Sequence, residues 1–290
     1  MMLEIKRILL PVDFPNAPLR VIHQAATLAH HFHSELLMLH AVTAASHAAG
    51  VPDAGSKLAG WDLLEEIIRD AQNKQDQTLG LELDGLTIRR MLVKANPAHA
   101  IVQVIARQEK ADLIMMAPSG FMFDQFLLSS VSAKVLKATE CPLWTSAHAE
   151  ESHSQRFAIH NILCVIEFNS HGHKSLSFAK QMAAEFGARL TLAHVTAGVE
   201  LWGPGGYHVN TAWKKELVSD ASRQIAELQS EMDIQADVFI GSGEPPKVLS
   251  HAARHTKADL LITGSYPYGV NLRTHAYGII SSMAIPVLSM

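Results

Sequence analysis

Several polar residues that could contact a phosphate or a base stand just after strongly apolar runs of the chain. Asp13 follows the run Ile8–Val12, and Gly120 comes soon after a second such run. Ser129 and Ser130 open a segment with helical spacing. Glycines let the backbone approach a phosphate, and the free amides of a helix N-terminus can hold it. The same residue types also serve as ordinary turn and helix-capping residues, so both interpretations stay open at this point.

Histidines form a second set of candidate ligands, since the chain contains 17 of them. His171 and His173 flank a glycine in a predicted loop, and His208 lies in a glycine-rich segment. Imidazole is a common zinc ligand, so a zinc site at His171 and His173 is one hypothesis. His251 and His255 stand four residues apart on a predicted helix, but the sequence between them lacks the glutamate of a zinc protease. The alternative is that these histidines are simply exposed.

Nucleophilic catalysis has little support in the sequence. The chain contains neither a Gly-x-Ser-x-Gly turn nor a Gly-Lys-Ser/Thr phosphate loop. Cys141 and Cys164 lie inside apolar runs and form no Cys-x-x-Cys pair, which indicates a reducing compartment. The glycine-rich segment Trp202–Tyr207 lacks dinucleotide-binding spacing, and we predict a flexible lid or a plain loop there. We therefore expect no catalytic residues.

The elements that must position these residues occur twice in the chain. Lys6–Phe14 is echoed by His160–Phe168, and Lys110–Leu113 recurs as Lys257–Leu260. The repeat is domain-sized rather than a short solenoid unit. The chain therefore consists of two copies of one domain.

The register of the repeat also pairs His40 with His194, each at the end of a predicted second strand. We predict that both are structural residues near a crevice wall. A polar stretch separates the copies, so we place a first domain at 1–147, a linker at 148–156 and a second domain at 157–290.

Apolar runs of strand length alternate with helix-length periodic segments in each copy. The first copy predicts strands at 8–12, 35–42, 86–93, 112–116 and 142–145, and helices at 17–32, 61–78, 100–107 and 130–137. The second copy predicts strands near 161–166, 189–195, 236–240, 259–263 and 286–289. This alternation indicates right-handed crossovers and a parallel sheet covered on both faces. The fold class is a doubly wound five-stranded α/β domain, present twice.

The spaced segments together resemble the universal stress protein family. The resemblance rests on Ile8–Asp13, His40, Ala111–Met116, Ser129–Leu136 and Cys141–Leu143, and it covers nearly the whole chain as a tandem pair. It implies an adenine-nucleotide-binding type of α/β fold. It also implies that the strand-five edges, 142–145 and 286–289, meet antiparallel within the chain, and a homodimer of the tandem chain is a further possibility.

The resemblance further implies a site for ATP or AMP, with Mg²⁺ on the phosphates of ATP. Family members that bind ATP carry an aspartate after strand one and the pattern Gly-x2-Gly-x9-Gly-Ser/Thr after strand four. The corresponding residues of the first copy are Pro11, Val12, Asp13, Ala117, Gly120, Ser129, Ser130 and Val131. Here Ala117 and Ser129 replace glycines, and Pro118 removes a backbone donor.

The second copy departs further from the pattern. It has Glu167 in place of the aspartate, Pro267 in place of the second glycine, and Arg273-Thr274 in place of the Gly-Ser/Thr pair. Its loop is also four residues shorter than the family pattern. We expect that any nucleotide binds the first copy.

Composition excludes some other classes of protein. Lys and Arg number 24 against 28 Asp and Glu, so no basic excess indicates a nucleic-acid partner. No apolar run reaches the roughly 18 residues needed to cross a bilayer, and the first residues do not resemble a signal peptide. We predict a cytoplasmic, non-enzymatic stress-response protein with degenerate nucleotide sites. The alternatives are a nucleotide switch with weak ATPase activity in the first copy, and a metal- or small-ligand-binding protein using its His-rich loops.

Overall fold

The computed structural model describes a repeated series of strands and helices. It covers residues 3–12, 19–42, 66, 69–70, 73, 80–94, 98–117, 130–146, 157–168, 170–197, 200–203, 206–209, 211–264 and 273–290. The first copy contains β1 (Arg7–Pro11), α1 (Leu19–Phe32), β2 (Glu35–Val42), α2 (Gly80–Leu83), β3 (Ile88–Lys94), α3 (Ala98–Gln108), β4 (Leu113–Met116), α4 (Ser130–Ala138) and β5 (Leu143–Thr145). The second copy contains β6 (Asn161–Val165), α5 (Ser170–Phe186), β7 (Arg189–Thr196), β8 (Glu200–Gly203), β9 (Gly206–Val209), α6 (Thr211–Glu231), β10 (Asp237–Ser242), α7 (Pro245–His255), β11 (Leu260–Thr263), α8 (Arg273–Ser282) and β12 (Val287–Ser289).

All ten predicted strands are present, with ends within two residues of the expected positions. They form one sheet in the order β10-β7-β6-β11-β12-β5-β4-β1-β2-β3. The two copies therefore share a single ten-stranded sheet. The predicted helix at 61–78 falls largely outside the described residues, and the domain and linker boundaries remain predictions.

The two copies join through β5 and β12, which pair antiparallel, whereas the other neighbours in this sheet are parallel. Val287 lies opposite Thr145, and Ser289 lies opposite Leu143. The predicted antiparallel meeting of the two strand-five edges is confirmed. Each copy thus covers an edge strand that would otherwise expose unpaired backbone groups.

The sheet separates two buried apolar layers. One layer joins the sheet to α1, α5 and α6, and the other joins it to α3, α4, α7 and α8. Successive residues of β1 point to opposite layers, since Ile8 and Leu10 belong to the first and Leu9 to the second. A strand buried on both faces must be apolar at every position, which explains why the strands appear in the sequence as unbroken apolar runs.

A repeated aspartate holds the start of the first strand in each copy. Asp112 Oδ2 accepts hydrogen bonds from the backbone N–H groups of Lys6 and Arg7 at 2.8 and 2.9 Å. Asp259 Oδ2 accepts the matching pair from His160 and Asn161, both at 2.8 Å. These two aspartates therefore have the same structural task, at the edge of the sheet where its parallel strands begin.

The segment Trp202–Tyr207 differs from its prediction as a lid or plain loop. Its ends belong to an antiparallel hairpin, in which Trp202 pairs with Tyr207 and Gly203 pairs with Gly206. Trp202 and Tyr207, which lie opposite each other, are aromatic residues of the kind that favours strands and cross-strand pairs.

The segment around His171 and His173 also differs from its prediction as a loop. Helix α5 begins at Ser170, so both histidines belong to its first turn. Gly172 between them is buried, and a Cβ atom there would collide with the backbone oxygen of Glu167. The glycine is therefore needed because the helix starts in close contact with the end of the preceding strand, and it does not indicate a loop.

Candidate functional site

The strand order reverses at β1 in the first copy, where β1 lies between β2 and β4. It reverses at β6 in the second copy, where β6 lies between β7 and β11. Ligands of open α/β sheets bind outside the carboxyl ends of the strands at such a reversal. In the first copy Pro11 and Ala117 are half-buried there and Val12 is buried. Asp13, Gly120 and Ser129 lie outside the described residues.

The N-terminus of α4 completes the described part of the first crevice. Ser130 and Val131 are its first two residues. Two residues into the helix, the buried Ser132 donates a hydrogen bond from Oγ to the backbone oxygen of Ala117 at 3.0 Å. This bond holds the first turn of α4 against the end of β4. Sequence reasoning missed Ser132, because its partner is 15 residues away and only the fold brings the two together.

Matching histidines form the wall of both crevices. His40 Nδ1 lies 3.0 Å from the backbone oxygen of Val12, and His194 Nδ1 lies 2.9 Å from that of Ile166. A carbonyl oxygen can only accept, so Nδ1 carries the proton in each case. The predicted structural role of the pair is confirmed. In both copies the carbonyl just beyond the first strand is therefore already bound within the protein.

The second crevice is lined by groups that contact one another. The ring of Phe168 packs on that of His194 with centroids 4.7 Å apart. At the ends of β7 and β10, the hydroxyl oxygens of Thr196 and Ser242 are 2.6 Å apart. Gly241 lies so close to Val248 that a Cβ atom would overlap its side chain. Helix α7 is thus pressed onto the end of β10.

The structure leaves the predicted zinc site untested. His173 is exposed on α5, whereas the side chains of His171 and His208 lie outside what the structure describes. Within the described parts of the chain, no group of three or more His, Cys, Asp and Glu residues is arranged to hold a metal ion.

A charged network lies away from both crevices, where β2 and β3 begin. Arg89 contacts Glu109 at 2.6 Å and Glu35 at 3.1 Å. The hydrogen bond from Arg89 lowers the pKa of the Glu109 carboxyl, and the same bond raises the pKa of Arg89. Arg7 also contacts Glu35, at 3.3 Å. This network joins neighbouring strands and serves the fold.

Comparison with known proteins places this architecture in a family. The model of the universal stress protein family matches residues 4–146 and 158–288. The chain belongs to the universal stress protein family. It carries two of the family's domains in tandem, which confirms the resemblance seen in the sequence.

A universal stress protein from Methanocaldococcus jannaschii is 30% identical over 142 residues, which is 48% of this chain and 79% of the relative. A universal stress protein from Archaeoglobus fulgidus has a crystal structure with a TM-score of 0.69 and 19% identity, covering 99% of this chain and 96% of that one. A functionally unknown protein from Pseudomonas aeruginosa gives a TM-score of 0.68 at 15% identity, covering 99% and 92%. These two structures support the tandem α/β fold alone. Among the described residues, no helix is long and apolar enough to cross a membrane.

Proposed function

We propose that this tandem universal stress protein acts in a cytoplasmic stress response without catalysing a reaction, and that its two crevices have diverged from the ATP-binding pattern. The observation that carries the proposal is that the carbonyl groups just after β1 and β6 already accept hydrogen bonds from side chains of the protein. His40 binds the carbonyl of Val12, and His194 binds that of Ile166. The N–H groups of the same two residues are used as well, since Val12 donates to the Leu39 oxygen at 2.9 Å and Ile166 to the Ala193 oxygen at 2.8 Å. The backbone of these two residues therefore keeps no N–H donor, and only one lone pair of each carbonyl, for contact with a nucleotide base.

The second crevice is less suited than the first to bind a nucleotide. Between Gly264 and the start of α8 at Arg273 the chain has only residues 265–272, whereas the first copy has residues 118–129 between Ala117 and Ser130. A loop four residues shorter wraps less of a triphosphate. The close contact of Gly172 with Glu167 also leaves the chain little freedom to open at the end of β6.

A second candidate function is a nucleotide switch in the first copy, with ATP or AMP as ligand and Mg²⁺ on the phosphates of ATP. The Ser132 bond to Ala117 favours it, because that bond places the N-terminus of α4 at the end of β4. The amides of a helix N-terminus favour an anion. Asp13, Gly120, Ser129 and Ser130 would hold the nucleotide in this proposal.

One experiment separates the two candidates. The purified chain is denatured, any released nucleotide is identified by chromatography, and the native chain is titrated with ATP–Mg²⁺ and with AMP by calorimetry. The main proposal expects no released nucleotide, no binding heat and no ATP turnover above the rate without protein. Measurable turnover would show that the protein is an enzyme and would overturn this proposal.

If nucleotide does bind, its place is tested with a matched pair of variants. Asp13→Ala should weaken binding more than Glu167→Ala, because only the first copy keeps the aspartate and a loop near the family length. Ser130→Trp should abolish binding by filling the space at the start of α4. Equal losses from the two carboxylate variants would contradict the assignment to the first copy.

A further inference from the structure

Helix α7 carries two exposed histidines one turn apart, far along the chain from the residues of the first crevice. His251 and His255 are the seventh and last residues of this helix, and their rings are nearly parallel at 22°, with centroids 6.2 Å apart. Side chains four residues apart on a helix project from the same face. Two imidazoles on one face of a helix, one turn apart, are close enough for one metal ion to contact both.

A phenylalanine on the neighbouring strand lies beside both rings. The ring of Phe239, on β10, lies 6.1 Å from the His251 ring and 6.1 Å from the His255 ring. Phe239 is itself half-buried against the layer that contains α7. Because both imidazoles rest beside one fixed aromatic ring, they lose less conformational freedom on binding a common ligand than two free surface side chains would.

The electrostatic surroundings of the pair tolerate a cation. Helix α7 ends at His255, and the C-terminal end of a helix carries a partial negative charge. Lys247, one turn before His251, is paired with Glu244 at 2.8 Å, so its charge is partly neutralised. Arg254 is exposed to solvent, which screens its charge.

We propose that His251 and His255 together bind one divalent transition-metal ion at the surface, with solvent or a small chelating ligand completing the coordination. Two imidazole nitrogens favour copper, nickel or zinc over magnesium or calcium, and copper binds tightest in the general order of affinities. The site belongs to α7 and β10, and it does not depend on whether either crevice binds a nucleotide. It is also distinct from the zinc site predicted at His171 and His173.

The test uses the copper(II) complex of iminodiacetate as the probe, because the chelator occupies part of the metal and leaves room for a pair of imidazoles. The intact chain is titrated by calorimetry, and the bound copper is examined by electron paramagnetic resonance for coupling to two nitrogens. The variants are His251→Gln, His255→Gln and the double replacement. The matched control replaces two other exposed histidines, His30 and His160, by Gln.

We expect one equivalent of the complex to bind the native chain. Each single variant should lose at least about tenfold in affinity, since even an outer-shell partner of a metal ligand is worth that much. The double variant should bind about as weakly as a single one, because a single variant has already lost chelation and its remaining imidazole binds copper no better than any other exposed histidine. The control should bind like the native chain.

Three results would overturn the assignment: a single α7 variant that keeps the native affinity, losses that add in the double variant, or a control that loses the binding instead. The replaced residues are exposed, so thermal unfolding without copper should match the native chain and serves as the check on folding.

Discussion

At the residue scale, the matched positions of the two copies separate structural roles from chemical ones. His40 and His194 bind equivalent carbonyls, and Asp112 and Asp259 bind equivalent backbone N–H groups. Residues that perform one task in both copies hold the fold. The copies differ at other positions, such as Asp13 against Glu167, and the proposed preference of a nucleotide for the first copy rests on such differences.

The two cysteines allow a test at the same scale. Burial raises the pKa of the Cys164 thiol to about 12, and burial with the nearby Asp112 charge raises that of Cys141 to about 12. The thiolate is the reactive form, so the folded chain at pH 8 should react with an aromatic disulfide reagent far more slowly than the unfolded chain. The release of thiolate product, followed by absorbance with and without denaturant, measures both rates.

The same shift has a consequence for stability. Between about pH 9 and pH 12 the folded chain keeps thiol protons that the unfolded chain has lost, so the thiols' contribution to the free energy of unfolding falls as the pH rises through that window. For the reactivity test, a folded chain that reacts with the disulfide reagent at pH 8 as fast as the unfolded chain would contradict the prediction, because it would show that the thiols are accessible.

At the element scale, the ends of α1 and α5 form a natural comparison. His33 follows α1 with φ of 55°, and Gly187 follows α5 with φ of 61°. Positive φ suits glycine, whereas a residue with a Cβ atom is strained there. A Cβ atom at position 187 would meet no atom within 4 Å, so a substitution there tests the backbone alone.

We predict opposite effects from the two exchanges. His33→Gly should raise the free energy of unfolding by about 0.5–1 kcal/mol, because relief of the left-handed strain exceeds the greater freedom of glycine in the unfolded chain. Gly187→Ala should lower it by about 1 kcal/mol. Urea denaturation of the whole chain measures both, and shifts of the same sign in the two variants would contradict the explanation.

At the scale of the whole molecule, the contact between the copies is built from matched residues. Phe32 and Phe186, the last residues of α1 and α5, meet with ring centroids 5.8 Å apart. His31 stacks on Phe186 at 4.2 Å and lies 3.2 Å from a Glu185 carboxylate oxygen. In the sheet, the fully buried Trp144 lies opposite Leu288 and donates a hydrogen bond to Gln24 at 2.9 Å.

This contact predicts that the chain unfolds as one unit. Trp144→Ala should lower the free energy of unfolding by about 3–5 kcal/mol, and Leu288→Ala should lower it by about 2–5 kcal/mol. Each variant should lower the temperature of a single unfolding transition that both copies share. Differential scanning calorimetry, with the calorimetric and van't Hoff enthalpies compared, measures this. Val104→Ala is the control, because Val104 is 45% exposed. Two separate transitions, with only one moved by each variant, would contradict the coupling of the copies.

The sequence alone determined the fold class, the duplication and nearly all the strands, because a strand buried on both faces needs an apolar residue at every position. The strand-five pairing was also predicted, from the resemblance to the family. The start of α5 was not, because the reason for Gly172 is a contact with Glu167 that depends on the angle between strand and helix.

Tertiary structure alone decided which polar groups meet. The spacing of His251 and His255 is visible in the sequence, but the ring of Phe239 that lies beside them comes from a different element. The Ser132 bond to Ala117 likewise joins groups on either side of a loop. Local patterns report which face of an element is buried. Contacts between elements depend on how those faces pack in three dimensions, and no local pattern contains that information.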